Sequence, residues 1–195
     1  LSRAVVRVAD TPDRGGACAA AGRAIATTWC LARPSRPLYV RALGAGTRAA
    51  IREAFDGGLS LLSYVGHGGT AVWGSENVLN STDAGTLLAQ SRQPLLATLN
   101  CLNGYFVGAT DSLAEAFLKV EGRGAFAAFS PTGLSLDGPA HTFHRALMRE
   151  IATGEHVRLG DAILAAQEGY TDSGQMPELL AIYHLFGDPA TVIDH

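Results

Sequence analysis

The sequence has few cysteines, few charges and no long apolar run. Three cysteines in 195 residues are too few for a disulfide scaffold, and their spacing is not that of a zinc site. No apolar run approaches the roughly 18 residues of a membrane span, and no basic segment leads into an apolar one at the N-terminus. The 15 Lys and Arg residues form no basic run and the net charge is −3, so nothing favours nucleic acid or an anionic membrane as a partner.

The residues that are present favour a compact globular domain. Hydrophobic residues make up 47% of the chain and charged residues 17%, which argues against disorder. This length suits one α/β domain, so we expect residues 1–195 to form a single unit. Because the first residue is Leu1 and not Met, we expect the segment to be excised from a longer chain.

Apolar runs alternate with helical patterns, which predicts βαβ units and a mostly parallel sheet. The predicted strands are 4–9, 38–43, 59–65, 95–99, 124–129 and 190–193. The predicted helices are 17–29, 47–55, 82–91, 141–151 and 159–170, with Ser81 or Thr82 as the N-cap of the third. A final segment at 179–186 precedes the last strand. A further helix begins after Ser112, which forms a capping box with Glu115. Cys18 and Cys30 are expected to be apolar helix residues, with a disulfide between them as the alternative.

Two of these strands end in chemically reactive side chains. The strand at 59–65 leads to His67 and the strand at 95–99 leads to Cys101. Loops at the carboxyl ends of neighbouring parallel strands lie side by side, so residues 34 positions apart can act on one substrate bond. This placement predicts a Cys/His dyad.

The loop after each strand supports this interpretation. A glycine-containing turn follows Cys101, and its backbone N–H groups can stabilise a thiolate and an oxyanion. The alternative is a buried core cysteine. Glycines flank His67, and the N–H of Gly68 can donate to an oxyanion while the imidazole transfers protons. The alternative for His67 is a loop histidine held by backbone hydrogen bonds.

Taken together, these motifs resemble the catalytic domain of the gingipain-type cysteine peptidases, within the wider caspase-like group. The motifs cover about two thirds of the chain and include Tyr-Val-Gly-His-Gly-Gly at 64–69, Trp73, Asn-Cys-Leu-Asn-Gly-Tyr-Phe at 100–106, Ser-Leu-Ala-Glu-Ala-Phe-Leu at 112–118 and Leu-Phe-Gly-Asp-Pro-Ala at 185–190.

The resemblance implies a caspase-hemoglobinase-like three-layer αβα sandwich. It implies Cys101 as nucleophile, His67 as general acid/base, and the N–H groups of Gly68 and Cys101 as the oxyanion hole. It also implies an acidic residue that orients the histidine. Asp10 is the candidate and Asp13 the substitute, although Asp10 is as readily explained as a cap or turn residue.

Substrate contacts are predicted at three positions. Trp73 is expected to line the substrate cleft, with simple packing as the alternative. By resemblance, Ser130 and Thr132 form a wall of the pocket for the residue before the scissile bond. Gingipains that cut after Arg or Lys use an acidic pocket residue. No Asp or Glu occurs between Asp13 and Glu53, so a basic preference is not expected here.

The predicted function is therefore a cysteine endopeptidase that acts on a peptide or protein substrate through a thioester. Catalysis needs no cofactor, and a structural calcium ion is implied by resemblance alone. Resemblance also implies a prodomain or flanking domains outside this chain, and an extracellular or cell-envelope location. The alternatives are a caspase-like bacterial signalling protease and a non-catalytic scaffold or secretion component with the same fold.

Overall fold

The structure is a computed structural model that describes residues 4–9, 35–39 and 44–193. Its main sheet has six strands, β1 (Ala4–Ala9), β2 (Ser35–Tyr39), β3 (Leu59–Val65), β7 (Leu95–Leu99), β8 (Ala127–Pro131) and β9 (Tyr183–Phe186). The strand order is β2-β1-β3-β7-β8-β9, with β9 antiparallel to β8 and every other pair parallel. Short strands β4 (Gly68–Gly69), β5 (Val72–Trp73) and β6 (Leu79–Asn80) form a second sheet directly after β3.

Both faces of the main sheet are covered. Four helices are described, α1 (Gly46–Asp56), α2 (Leu113–Leu118), α3 (Asp137–Thr153) and α4 (Leu159–Thr171). Successive strand residues point to opposite faces, so Val5 and Leu61 belong to the core under α3 and α4. Val6 and Leu62 belong to the core under α1 and α2. The result is the three-layer αβα sandwich that the resemblance implied.

Strands buried on both faces are almost continuously apolar, which explains why they were predicted well. The predictions for β1, β3 and β7 match the structure, and α1, α3 and α4 are each found with slightly extended ends. Ser112 and Glu115 form the predicted capping box at the start of α2. The predicted helix 17–29, with Cys18 and Cys30, lies outside the described residues.

Several local predictions are wrong. Helix 82–91 is a short 3-10 helix, Ser81–Thr86, and its N-cap is Asn80, whose side chain accepts from the Thr82 N–H. The second strand begins at Ser35 and not at 38, and β8 begins at Ala127 and not at 124. The segment 179–186 was assigned to neither a helix nor a strand, and it divides into a 3-10 helix, Pro177–Ala181, and β9. In place of a last strand at 190–193 there is one bridge between Arg158 and Val192.

Within the described residues, no helix is both long and apolar enough to span a membrane.

Candidate active site

Cys101 lies partly exposed just beyond the carboxyl end of β7. The next residue, Leu102, has a φ of +62°, a conformation that non-glycine residues rarely adopt. Its N–H donates to the Gly133 carbonyl at 3.1 Å, and its own carbonyl accepts from the Tyr105 N–H at 3.0 Å. These two hydrogen bonds hold Leu102 in its unfavourable backbone conformation, because a strained residue persists only where its surroundings fix it in place. The chain turns sharply after Cys101, so the thiol lies at the sheet edge and not in the core.

The sulfur has a different N–H donor from the one expected. The N–H of Leu102 is occupied as described, and that of Gly104 donates to the Pro131 carbonyl at 2.9 Å. The backbone N–H of Ser135 reaches Cys101 Sγ at 3.4 Å, and Sγ also lies 3.7 Å from the Ser135 carbonyl oxygen. A Cys101 thiolate can accept a hydrogen bond from the Ser135 N–H, and a Cys101 thiol can donate one to the Ser135 carbonyl oxygen.

Sequence reasoning missed Ser135. The available signal was its position in the loop after β8, which leaves the same edge of the sheet as the loop that carries Cys101.

His67 follows β3 at the same edge as Cys101. The strands are neighbours and parallel, and the Gly66 N–H continues their pairing by donating to the Leu99 carbonyl at 3.1 Å. The His67 carbonyl accepts from the Tyr64 hydroxyl at 2.7 Å and from the Gly74 N–H at 2.9 Å. The backbone of His67 is thus anchored at two points, and the residue as a whole is exposed.

Gly68 brings the histidine loop against the cysteine loop. A Cβ at this position would lie 2.7 Å from the Cys101 carbonyl oxygen, so only glycine permits this approach. Gly68 pairs with Trp73, and the Gly74 N–H donates to His67, which is the arrangement of a non-hydrogen-bonded antiparallel pair. The Gly68 N–H therefore points away from β5, as a donor to an oxyanion must.

The side chain of Asn103 connects the two loops. It is fully buried, and its amide nitrogen donates to the carbonyls of Gly69 and Val72, the latter at 3.3 Å. Its amide oxygen accepts from the side chain of Asn100, and its backbone carbonyl accepts from the Ala114 N–H at 3.0 Å. Asn103 was predicted only as a turn residue, because nothing in the sequence shows that its amide reaches the hairpin.

The prediction that Trp73 lines the substrate cleft is wrong. Trp73 is fully buried and stacks on Tyr64, with ring centroids 4.3 Å apart and an interplanar angle of 2°. The packing alternative is therefore the right one. An aromatic pair of this kind stabilises the fold by about 0.5–1.5 kcal/mol beyond the area that it buries.

The two predicted pocket residues differ in exposure. Ser130 is buried at the end of β8, where its Oγ accepts from the Thr98 hydroxyl at 3.0 Å, so its side chain is not placed to touch a substrate. Thr132 is partly exposed, and both its N–H and its hydroxyl donate to the Ile182 carbonyl, at 2.8 and 2.9 Å. Thr132 fastens the loop that carries Ser135, and its contact with a substrate stays a prediction.

Asp10 and Asp13 lie outside the described residues. The strand before Asp10 is described, and its last residue, Ala9, pairs with Val65 of β3. In the sequence, Asp10 therefore directly follows a strand whose end is level with the end of β3, the strand that leads to His67. Its orienting role stays a prediction.

One buried histidine lies away from the dyad. His144 Nε2 of α3 and the Ser63 hydroxyl of β3 are 2.9 Å apart, both in buried side chains. Burial, with a smaller contribution from His141, lowers the pKa of His144 from 6.5 to about 3. The imidazole is thus neutral near pH 7 and acts as a structural hydrogen-bonding group.

Within the described ranges, no three His, Cys, Asp or Glu side chains come close enough to hold a metal ion, so this part of the chain offers no carboxylate cluster to calcium.

Comparison with known proteins places these features in a family. A model of Peptidase family C25 matches residues 8–194. Gingipain R2 of Porphyromonas gingivalis is 26% identical over an alignment of 161 residues that covers 73% of this chain and 21% of that protein. Gingipain R1 of the same organism is also 26% identical over an alignment of 161 residues, which covers 73% of this chain and 15% of that protein. The chain thus spans about a fifth or less of the length of these two relatives.

Solved structures agree on the fold. The Arg-specific cysteine proteinase gingipain R has a TM-score of 0.86 at 20% identity, over 98% of this chain and 48% of that chain. The complex of the Porphyromonas gingivalis RgpB pro- and mature domains has a TM-score of 0.85 at 20% identity, with the same coverage. The fold and the strand-end cysteine and histidine define a caspase-like α/β domain. Since the family model covers nearly its whole length, the chain belongs to Peptidase family C25.

Proposed function

We propose that this domain is a cysteine endopeptidase with Cys101 as nucleophile and His67 as general acid/base. The observation that carries the proposal is the meeting of the two loops at one sheet edge, where Gly68 lies against the backbone of Cys101. Parallel strand ends are where α/β proteins build active sites. The match to Peptidase family C25 favours this function over a signalling protease or an inactive scaffold.

The proposed reaction has two halves. His67 accepts the thiol proton, Cys101 Sγ attacks the scissile carbonyl carbon, and the N–H groups of Gly68 and Cys101 stabilise the oxyanion. The C–N bond breaks as His67 returns the proton to the leaving amine, and a thioester remains. Water, deprotonated by His67, then attacks the thioester; the C–S bond breaks, releasing the carboxylic acid product and restoring the thiol.

This chemistry requires a nucleophile, a proton carrier and N–H donors, all of which the protein supplies, so the proposed reaction uses no cofactor. A structural calcium ion rests on resemblance alone, and no step depends on it. The substrate is a peptide or protein. The preference of the solved gingipain R for Arg is a property of that protein, and the stretch without acids between Asp13 and Glu53 argues against extending it to this chain.

The partner and location proposals rest on the relatives. One similar structure is a complex of a prodomain with its mature domain. We propose that a comparable segment outside this chain covers the site before activation. An extracellular or cell-envelope location is proposed on the likeness to gingipains of Porphyromonas gingivalis.

Hydrolysis of a mixed peptide library, read by mass spectrometry, tests the function. The wild-type chain should cleave internal peptide bonds, and C101A and H67A should each lose cleavage by at least about a thousandfold. C30A is the matched control for loss of a thiol and should keep wild-type activity. Cleavage that survives in C101A would refute the assignment of the nucleophile.

A further inference from the structure

A tyrosine beneath the active-site edge is bonded to the residue that contacts the nucleophile. Tyr183 begins β9, is buried, and is 4% exposed. Its ring packs on Phe129, with centroids 5.7 Å apart, and edge-on against Phe143 at 5.6 Å. Its phenol oxygen lies 3.1 Å from Ser135 Oγ, within hydrogen-bond distance. The aromatic neighbours hold the ring, and the ring holds its hydroxyl in one place.

Ser135 has two contacts that point in different directions. Its side chain faces Tyr183, while its backbone N–H and carbonyl face Cys101 Sγ at 3.4 and 3.7 Å. Leu134 and Leu136 on either side are exposed, so neither flanking side chain anchors Ser135 in the core. The Tyr183 hydroxyl is thus the buried partner that anchors the Ser135 side chain.

The electrostatic surroundings of Tyr183 agree with this arrangement. Burial raises the pKa of the phenol, and hydrogen bonds from Ser135 and from the Asn100 backbone oppose that effect. Coulombic interaction with Cys101 raises the pKa of the phenol further. Tyr183 therefore stays protonated at any pH at which the domain would work, and it acts as a neutral hydrogen-bonding group.

We propose that Tyr183 is a positioning residue whose hydroxyl fixes Ser135 so that the Ser135 N–H lies against Cys101 Sγ. Tyr183 is buried and touches no substrate. It acts through Ser135, whose N–H stabilises the thiolate that attacks the substrate. This inference rests on the proposed peptidase function and adds a residue to it.

The test compares Y183F with Y170F. Y183F keeps the ring and its packing and removes only the hydroxyl. Tyr170 is the matched control because it is fully buried in the same core and its hydroxyl donates to the Met176 carbonyl at 2.8 Å, away from Cys101. We expect Y183F to slow alkylation of Cys101 by iodoacetamide at pH 7 about fivefold, and Y170F to leave the rate unchanged.

Steady-state kinetics provide a second readout. Y183F should lower kcat about fivefold with little change in KM, since it affects the reactivity of the nucleophile and not substrate contacts. S135A removes the other half of the same hydrogen bond and should give the same loss. The double variant should lose no more than either single one, because both remove one interaction.

The outcomes separate this inference from the proposed function. Slower alkylation in Y183F supports the positioning role even if no peptide is cleaved, a result that would refute only the peptidase function. Wild-type alkylation and kcat in both Y183F and S135A would overturn the positioning role while leaving the peptidase function intact. An equal loss in Y170F would overturn it as well, because the effect would then be a general loss of core stability.

Discussion

The amide of Asn103 donates to the carbonyl of Gly69, which ties the turn after the nucleophile to the hairpin after the histidine. The two loops come from different strands and are joined by no ladder hydrogen bond at this point. The position of His67 relative to Cys101 therefore depends on a side chain that takes part in no chemistry. A buried amide in such a place contributes both to stability and to catalytic geometry.

We expect N103A to lower kcat at least about tenfold, because the hairpin loses its attachment and the dyad loses its geometry. It should also destabilise the fold by about 2 kcal/mol, since two carbonyls lose their buried donor. N80A is the control, as it removes the cap of the 3-10 helix at a cost of about 1 kcal/mol without touching the site. Circular dichroism melts and steady-state kinetics measure both effects. A variant with normal kcat would show that the ladder alone holds the dyad.

Selective alkylation should identify Cys101 as the reactive thiol. A peptidyl electrophile near neutral pH should modify Cys101 at least about tenfold faster than Cys18 or Cys30, because Cys101 combines partial exposure with an N–H donor and a neighbouring histidine loop. H67A should retain part of the labelling, since the Ser135 N–H still contacts the sulfur. Peptide mapping after timed quenching gives the three rates. Equal rates at all three cysteines in the folded chain would contradict the assignment.

Asp10→Asn tests the orienting acid. If Asp10 orients His67, the variant should lose at least about tenfold in kcat with little change in melting temperature, because a carboxylate that fixes a tautomer acts on the chemical step. Asp13→Asn is the matched variant and should have wild-type kinetics. A reversed result would move the role to Asp13, and two active variants would leave a backbone carbonyl as the orienting group.

Buried His144 predicts a loss of stability in mild acid. Its pKa is about 3 in the folded chain and 6.5 in the unfolded chain, so below pH 6.5 the unfolded chain takes up a proton that the folded chain refuses. Above pH 6.5 His144 is neutral in both the folded and the unfolded chain, so its protonation costs the folded state no stability there. By pH 5 the free energy of unfolding has fallen by about 2 kcal/mol, and it continues to fall towards pH 3.

Urea unfolding between pH 7 and pH 5, in a C101A background to avoid self-digestion, measures this effect. H144Q should remove most of the slope of unfolding free energy against pH. H184Q, at an exposed position, should keep it. An unchanged slope in H144Q would show that other groups are responsible for the pH dependence.

The sequence alone determined the parts of this protein that depend on local pattern. Parallel strands that are buried on both faces are predominantly apolar, so Leu59–Val65 and Leu95–Leu99 were recognisable as strands, and the parallel sheet placed His67 and Cys101 at one edge. The capping box at Ser112 and Glu115 was equally local, since both members lie within one helical turn.

The tertiary structure alone decided which atoms meet around the sulfur. Ser135 lies 34 residues from Cys101 and Tyr183 lies 48 residues from Ser135, so no short-range pattern could connect them. Trp73 has the same residue type whether it packs on Tyr64 or faces a substrate, and only the closure of the hairpin over the core buries it. The local periodicity of apolar residues shows which face of a strand is buried. Which side chains then meet depends on how segments distant in the sequence pack together, and periodicity carries no information on that.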